Sequence, residues 1–100
     1  MNITKNMNGG VLEIAVEGRL DTATAPQLEN EIKASLGNAE SIVFDFAKLD
    51  YISSAGLRVL LSANKAMVNS GKEPVKVLNS NEIVKEVFEV TGFSDILNIA

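Results

Sequence analysis

The sequence contains no histidine, no cysteine and no tryptophan. Without Cys or His there is no thiolate or imidazole metal site, no disulfide and no redox pair. There is also no Ser-His or Cys-His nucleophile system, because the base is missing. These absences exclude most chemistry run near neutral pH, so the chain reads as a protein that is not an enzyme and carries no cofactor or metal. Basic residues are scarce too: 9 Lys and Arg stand against 13 Asp and Glu, a net charge of −4. Bulk electrostatics therefore point away from nucleic acid. No apolar run approaches the ~20 residues that span a bilayer. No basic start leads into an apolar stretch, so neither a membrane partner nor a secretory signal is expected. What is present is 46% hydrophobic residues over a length of 100. That is material for one core, and the expectation is a single cytoplasmic domain over residues 1–100.

Val11 to Val16 (VLEIAV) alternates apolar with polar, the period of a half-buried strand. Asn8-Gly9-Gly10 before it signals a turn, so a strand within Met1–Met7 is expected to pair with it as a hairpin. Thr24-Ala25-Pro26-Gln27 reads as a helix start, with Thr24 as cap and Gln27 three residues on. Leu28, Ile32 and Leu36 recur at helical spacing, and Gly37 suits a left-handed stop. Ser41 to Phe46 (SIVFDF) has the composition of a strand covered on both faces. Ser53 or Ser54 then opens a second helix, with Leu57, Leu60, Leu61, Ala63, Met67 and Val68 inward and Gly71 at its end. Pro74 to Leu78 is a short strand. Asn79 or Asn81 opens a third helix, with Ile83, Val84, Val87 and Phe88 inward and Gly92 as its stop; Glu82, Lys85, Glu86 and Glu89 form its solvated face.

The order β-β-α-β-α-β-α implies an α/β fold: a mostly parallel sheet of four to five strands with right-handed crossover helices. In such a sheet the loops leaving the C-terminal strand ends gather on one edge, where sites usually lie. Three loops reach it, Gly18–Thr24, Ala47–Ser54 and Asn79–Asn81, and only the middle one is unusual in composition.

Asp50-Tyr51-Ile52-Ser53-Ser54-Ala55-Gly56-Leu57-Arg58 joins a buried strand to a helix. Two serines sit where backbone N–H groups and the positive end of the helix dipole point outward. A hydroxyl there caps a helix, and the same place suits a phosphate. Gly56, lacking a Cβ, serves either tight helix–strand packing or the close approach of a partner. Arg58, one turn beyond Ser54, is spaced to meet an added phosphate. Tyr51, the only tyrosine, is expected to pack beneath the serine loop. From Tyr51 to Lys72 there are three bases and no acid, whereas the other 6 bases and 13 acids leave −7. An acidic partner or a phosphate is drawn to that helix, unless the three bases are simply solvated.

Taken together, Gly18-Arg19-Leu20-Asp21 after a strand, Leu49–Leu57 (LDYISSAGL) and Val90-Thr91-Gly92-Phe93 resemble the STAS-domain anti-sigma factor antagonists in order and spacing. The resemblance spans nearly the whole chain, and its most specific part is D-x-x-x-Ser-x-Gly-Leu from Asp50 to Leu57. It implies a STAS-like domain that works by partner switching. The unphosphorylated form binds an anti-sigma factor that is also a serine kinase, and so frees a sigma factor. Phosphorylation at the position of Ser54 ends that binding, and a phosphoserine phosphatase restores it. The resemblance also implies a partner surface made of Asp21, Thr22, Ser53, Ser54, Ala55, Gly56 and Arg58. The chain departs from the family pattern at two places. Ser53 stands where many members have Asp, which puts a second hydroxyl beside the acceptor, and Ala55 stands where they have Ser or Thr.

Two other readings remain. One is a STAS scaffold that docks partners without being switched. The other is a phospho-aspartate receiver using Asp21, Asp45 and Asp50 with Mg²⁺. A receiver calls for an acidic pair after its first core strand, a fifth βα unit and a late lysine. This short chain offers Asp21 alone in that first loop. A serine hydrolase is weaker still, because the serines lie outside a G-x-S-x-G setting.

Overall fold

The chain begins with a hairpin: β1 (Asn2–Asn8) runs antiparallel to β2 (Val11–Leu20), with Asn8 opposite Val11. The two linking residues, Gly9 and Gly10, have φ of 55° and 88°, the left-handed pair that a tight hairpin turn requires. A computed structural model describes all residues, Met1 to Ala100.

β2 is longer than its alternating stretch, and it serves two parallel neighbours in succession. Val11–Ala15 pairs with β3 (Ser41–Asp45). Beyond a register shift at Gly18, Arg19 and Leu20 pair with β4 (Leu49–Ile52). On the far side of β3 come β5 (Lys76–Leu78) and β6 (Asn98–Ile99), both parallel. The sheet therefore has six strands in the order β1-β2-β3-β5-β6, with β4 attached to the end of β2. Three helices complete the chain: α1 (Ala25–Ser35), α2 (Ser54–Asn69) and α3 (Glu82–Thr91).

The element order is thus β-β-α-β-β-α-β-α-β, with six strands where four to five were expected and two more than the expected order contains. β4 is only four residues long, carries Asp50, and exists because β2 runs past its bulge to pair with it. β6 has two residues and is held by Asn98 and Ala100 N–H groups donating to the Val75 and Val77 carbonyls.

The core lies between the sheet and the helices. Leu12, Ile14, Val16 and Leu20 enter it from β2, and Ile42 and Phe44 from β3. Leu28 and Ile32 meet them from α1, Leu57, Leu60 and Met67 from α2, and Val84 and Phe88 from α3. β3 departs from its expected double coverage: Ser41, Val43 and Asp45, alternating with the buried residues, are only half-buried. Every second β3 residue faces a partly open side of the sheet, so its apolar composition reflects β propensity as well as burial.

Several local expectations change. Thr24 precedes α1 but its side chain makes no capping bond, and Gly37 is not left-handed; α1 instead tightens into a 3-10 turn at Leu36–Asn38. Gly71 and Gly92 do take positive φ, 75° and 80°, where α2 and α3 stop. Val68 and Ile83 are exposed rather than inward, and Leu61 is half-buried. Buried Asn64 accepts the Val75 N–H at 2.9 Å, which ties α2 to the strand that follows it.

Candidate functional site

β2 and β4 end together, and their last rung builds the site. The Ser53 N–H donates to the Leu20 carbonyl at 2.9 Å. The next residue on each strand, Asp21 and Ser54, therefore leaves the sheet from adjacent positions. Ser54 is the first residue of α2 and is exposed. Ser53 holds the N-cap position with extended backbone (φ −100°, ψ 176°), and its carbonyl accepts the Leu57 N–H at 3.0 Å. Its hydroxyl makes no capping bond, and Oγ is buried without any hydrogen-bond partner. The two serines are thus unlike: one hydroxyl faces inward and idle, the other lies in solvent at the positive end of a 16-residue helix.

Gly56 faces inward as well. A Cβ placed there would stand 2.7 Å from Leu20 Cγ and 2.9 Å from Ile52 Cγ1. The glycine lets α2 lie against the ends of β2 and β4, which is the packing alternative of its two sequence readings rather than the approach of a partner. Arg58 is exposed and pairs with no carboxylate. With Thr22, Ala25, Pro26, Glu29, Ala55 and Val59 it lines a shallow depression of about 240 Å³ between the starts of α1 and α2. The edge therefore gathers Asp21, Thr22, Ser54, Ala55 and Arg58, while the Ser53 hydroxyl and Gly56 are turned into the fold.

Asp21 shapes the loop beside Ser54. Its Oδ1 accepts the N–H groups of Ala23 and Thr24 at 3.0 and 3.2 Å. Thr24 Oγ1 accepts the Asp21 N–H at 2.9 Å and donates to the Arg19 carbonyl at 2.8 Å. The Thr24 N–H above all, helped by the Thr24 hydroxyl, the Ala23 N–H and the Arg19 charge, holds the Asp21 carboxyl below its ordinary value despite some desolvation. Asp21, not Thr24, is the side chain that satisfies the N–H groups ahead of α1.

Arg19 and Tyr51 were not singled out together by the sequence. They are partners in the β2–β4 ladder, and the Arg19 guanidinium sits 4.6 Å from the centre of the Tyr51 ring. Tyr51 is half-buried under that stack, and Arg19 Nε lies 3.9 Å from Asp21 Oδ2. The signal was β4 itself: once Leu49–Ile52 is a strand beside β2, Arg19 and Tyr51 fall opposite each other. In the third loop Asn79 and Asn81 bond within the fold, while Ser80 Oγ is buried without a partner. Asn81 Oδ1 accepts the Val84 N–H at 2.8 Å, and its Nδ2 donates to the Leu49 carbonyl at 3.0 Å. Asn79, with φ 62°, donates to Asp45 Oδ1 at 3.1 Å. Asp45 also accepts the Ala47 N–H, so Asp21 and Asp45 each serve a separate turn.

An exposed serine heading α2, beside an Asp-capped turn at the end of β2, is the arrangement to set against known proteins. The STAS-domain family model matches residues 2–100. BtrV of Bordetella bronchiseptica, which carries the name of an anti-sigma factor antagonist, is 39% identical over 101 residues, covering 100% of this chain and 86% of BtrV. Among solved structures, an anti-sigma factor antagonist from Mycobacterium paratuberculosis superposes with a TM-score of 0.88 at 21% identity, covering 98% of this chain and 83% of that one. The antagonist SpoIIAA is similar in its unphosphorylated form, with a TM-score of 0.79 at 18% identity over 99% of this chain and 87% of SpoIIAA. The Bacillus SpoIIAA in its phosphorylated form gives 0.78 at 20% identity, over 99% and 91%. The chain belongs to the STAS-domain family of anti-sigma factor antagonists. No helix in it is long and apolar enough to cross a membrane.

Proposed function

We propose that this chain is a cytoplasmic anti-sigma factor antagonist that acts by binding rather than catalysis and is switched at Ser54. In this reading the unmodified protein binds an anti-sigma factor with serine kinase activity, which releases the sigma factor. The kinase transfers a phosphoryl group to Ser54, the complex parts, and a phosphoserine phosphatase resets it. The observation that carries the reading is the contrast at the start of α2, where Ser54 is exposed and the neighbouring Ser53 hydroxyl is buried. The antagonist name of BtrV supports the same reading, as does the existence of SpoIIAA in both phosphorylated and unphosphorylated forms.

The mechanism needs no large rearrangement. A phosphate adds about −1.5 to −2 charges near neutral pH. Inside a contact made for a hydroxyl, an unpaired charge costs several kcal/mol, on the order of a hundredfold or more in affinity. Thr22, Ala55 and Arg58 beside the depression, with Asp21 holding the loop, form the surface that contact would cover.

The test is intact-mass analysis after mixing with ATP and a kinase-type anti-sigma factor, together with binding assays on variants. One added phosphate should appear on the wild type and on Ser53→Ala but not on Ser54→Ala. Ser54→Asp should bind the unmodified protein's partner about a hundredfold more weakly. A phosphate that persists in Ser54→Ala, or full-strength binding by Ser54→Asp, overturns the site or the sign of the switch. A chain that binds but is never modified is an unswitched scaffold.

A further inference from the structure

α3 exposes apolar surface that neither the core nor helix formation accounts for. Ile83 is 59% exposed and Val90 79%, the two most exposed large apolar side chains in the molecule. They lie seven positions apart, two turns of helix, with half-buried Val87 between them, so the three make one strip. The core-facing side of α3 is already supplied by fully buried Val84 and Phe88. Local stability does not call for the strip either. β-branched side chains lose χ1 freedom in a helix, and the ends of α3 are secured by the Asn81 cap and left-handed Gly92.

The charges beside the strip give its chemistry. Glu82, Glu86 and Glu89 are exposed and take part in none of the salt bridges. At about 100° per residue, Glu86 falls about 60° from Ile83, and Glu82 and Glu89 follow on the same flank. Lys85 falls about 160° from Ile83, beyond Glu82 and Glu89 and on the far edge of that flank from the strip. The apolar strip is thus bordered on one side by three glutamates, with Lys85 behind them.

We propose that this strip is a second docking surface, and that its occupant is a cationic amphipathic helix of another protein. Apolar side chains at helical spacing seat on Ile83, Val87 and Val90, and a row of Lys or Arg meets the three glutamates. A second copy fits poorly. Antiparallel pairing of two α3 strips brings like flanks together, glutamate against glutamate, between molecules of net charge −4. The strip takes no residue from the Ser54 edge: α3 packs on β4 and the Phe93–Asp95 turn, whereas α2 packs on α1 and reaches β4 from its own side. The strip and the Ser54 edge have no residue in common, so the inference does not rest on the proposed switch. A protein with both surfaces keeps one partner while the other comes and goes.

The test uses the full chain, ¹⁵N-labelled, titrated with a synthetic amphipathic peptide bearing leucines at i, i+4 and i+7 and lysines along one flank. The control is the same peptide with glutamates for lysines. Shift changes should be confined to residues 82–95, weaken with salt, and be absent with the control. Ile83→Ser/Val90→Ser, both at exposed positions, should stay folded by thermal melting and bind roughly tenfold or more weakly. Glu86→Lys/Glu89→Lys should lose the salt dependence, and Ser54→Asp should bind as the wild type does. The proposal is overturned by equal binding of both peptides, by shifts centred on α2, or by unchanged binding in Ile83→Ser/Val90→Ser. Salt-sensitive self-association lost in that variant during sedimentation overturns it too, making a second copy the occupant.

Discussion

Replacing Gly56 by alanine sets two effects of known sign against each other. Helix propensity favours alanine over glycine by at most about 1 kcal/mol, and less in a first turn. Packing opposes it. The new methyl would lie 2.7 and 3.0 Å from Leu20 Cγ and Cδ2 and 2.9 Å from Ile52 Cγ1, where carbon contacts are normally ~3.5–4.0 Å. Neither neighbour has anywhere to go, because Leu20 and Ile52 are fully buried in the core. Relief therefore requires α2 to lift by roughly half an ångström to an ångström, and overpacking of this kind costs about 1–3 kcal/mol. The net expectation is a loss of about 1–2 kcal/mol, which for a domain of this size lowers Tm by roughly 4–15 °C. Thermal and urea unfolding followed by circular dichroism measure it. Gly37→Ala is the companion variant: nothing lies within 4 Å of its added methyl and its φ is not positive. It should be neutral or slightly stabilising. If Gly56→Ala is as stable as the wild type, Gly56 is not the residue that sets how closely α2 approaches the strand ends, and its absent Cβ has to be explained at the surface instead.

Three further outcomes follow from particular contacts. Asn81→Ala removes the cap on Val84 N–H and the bond to the Leu49 carbonyl, and should cost about 1–2 kcal/mol in urea unfolding. Ser53→Ala deletes a buried hydroxyl with no partner, so stability should stay within about 0.5 kcal/mol of wild type or rise; a clear loss shows that the hydroxyl has a partner in solution. The Asp21 carboxyl, lowered from 3.8 by its loop N–H groups, adds stability that is complete above its unfolded value and fades as pH falls through its lower folded value. A carbon-detected NMR titration should find its midpoint below 3.8, and Asp21→Asn should remove that part of the acid dependence.

Much of this fold was legible because periodicity and punctuation agreed. Asn8-Gly9-Gly10 turned where it should, three helices formed, and Gly71 and Gly92 stopped two of them. The errors come partly from interactions made across the chain and partly from local bonds that spacing alone does not decide. β4 is a strand only because the end of β2 lies beside it, and Thr24 makes no capping bond because its hydroxyl is engaged with the Asp21 N–H and the Arg19 carbonyl behind it. Gly37 needed no left-handed turn once α1 ended in a 3-10 turn. Ile83 carried an inward pattern, yet Val84 and Phe88 already filled the space beneath α3. At the site, the serine pair and the neighbouring Asp21 were readable from the motif. Which serine faced solvent was not, because the orientation of Ser53 follows from its rung with Leu20.

That rung has a consequence for substrate recognition. Many phosphoacceptors lie in mobile segments that a kinase binds as extended peptide, reading the residues on either side. Here the residue before Ser54 is clamped to a β-strand and the residues after it are helical, so no extended peptide runs through Ser54. Under the proposed switch, an enzyme acting on Ser54 would have to recognise a shape, assembled from the ends of β2 and β4 and the starts of two helices. On that proposal a free peptide spanning Asp50–Arg58 would present the right letters in the wrong form, and unfolding the domain would abolish modification without altering the sequence.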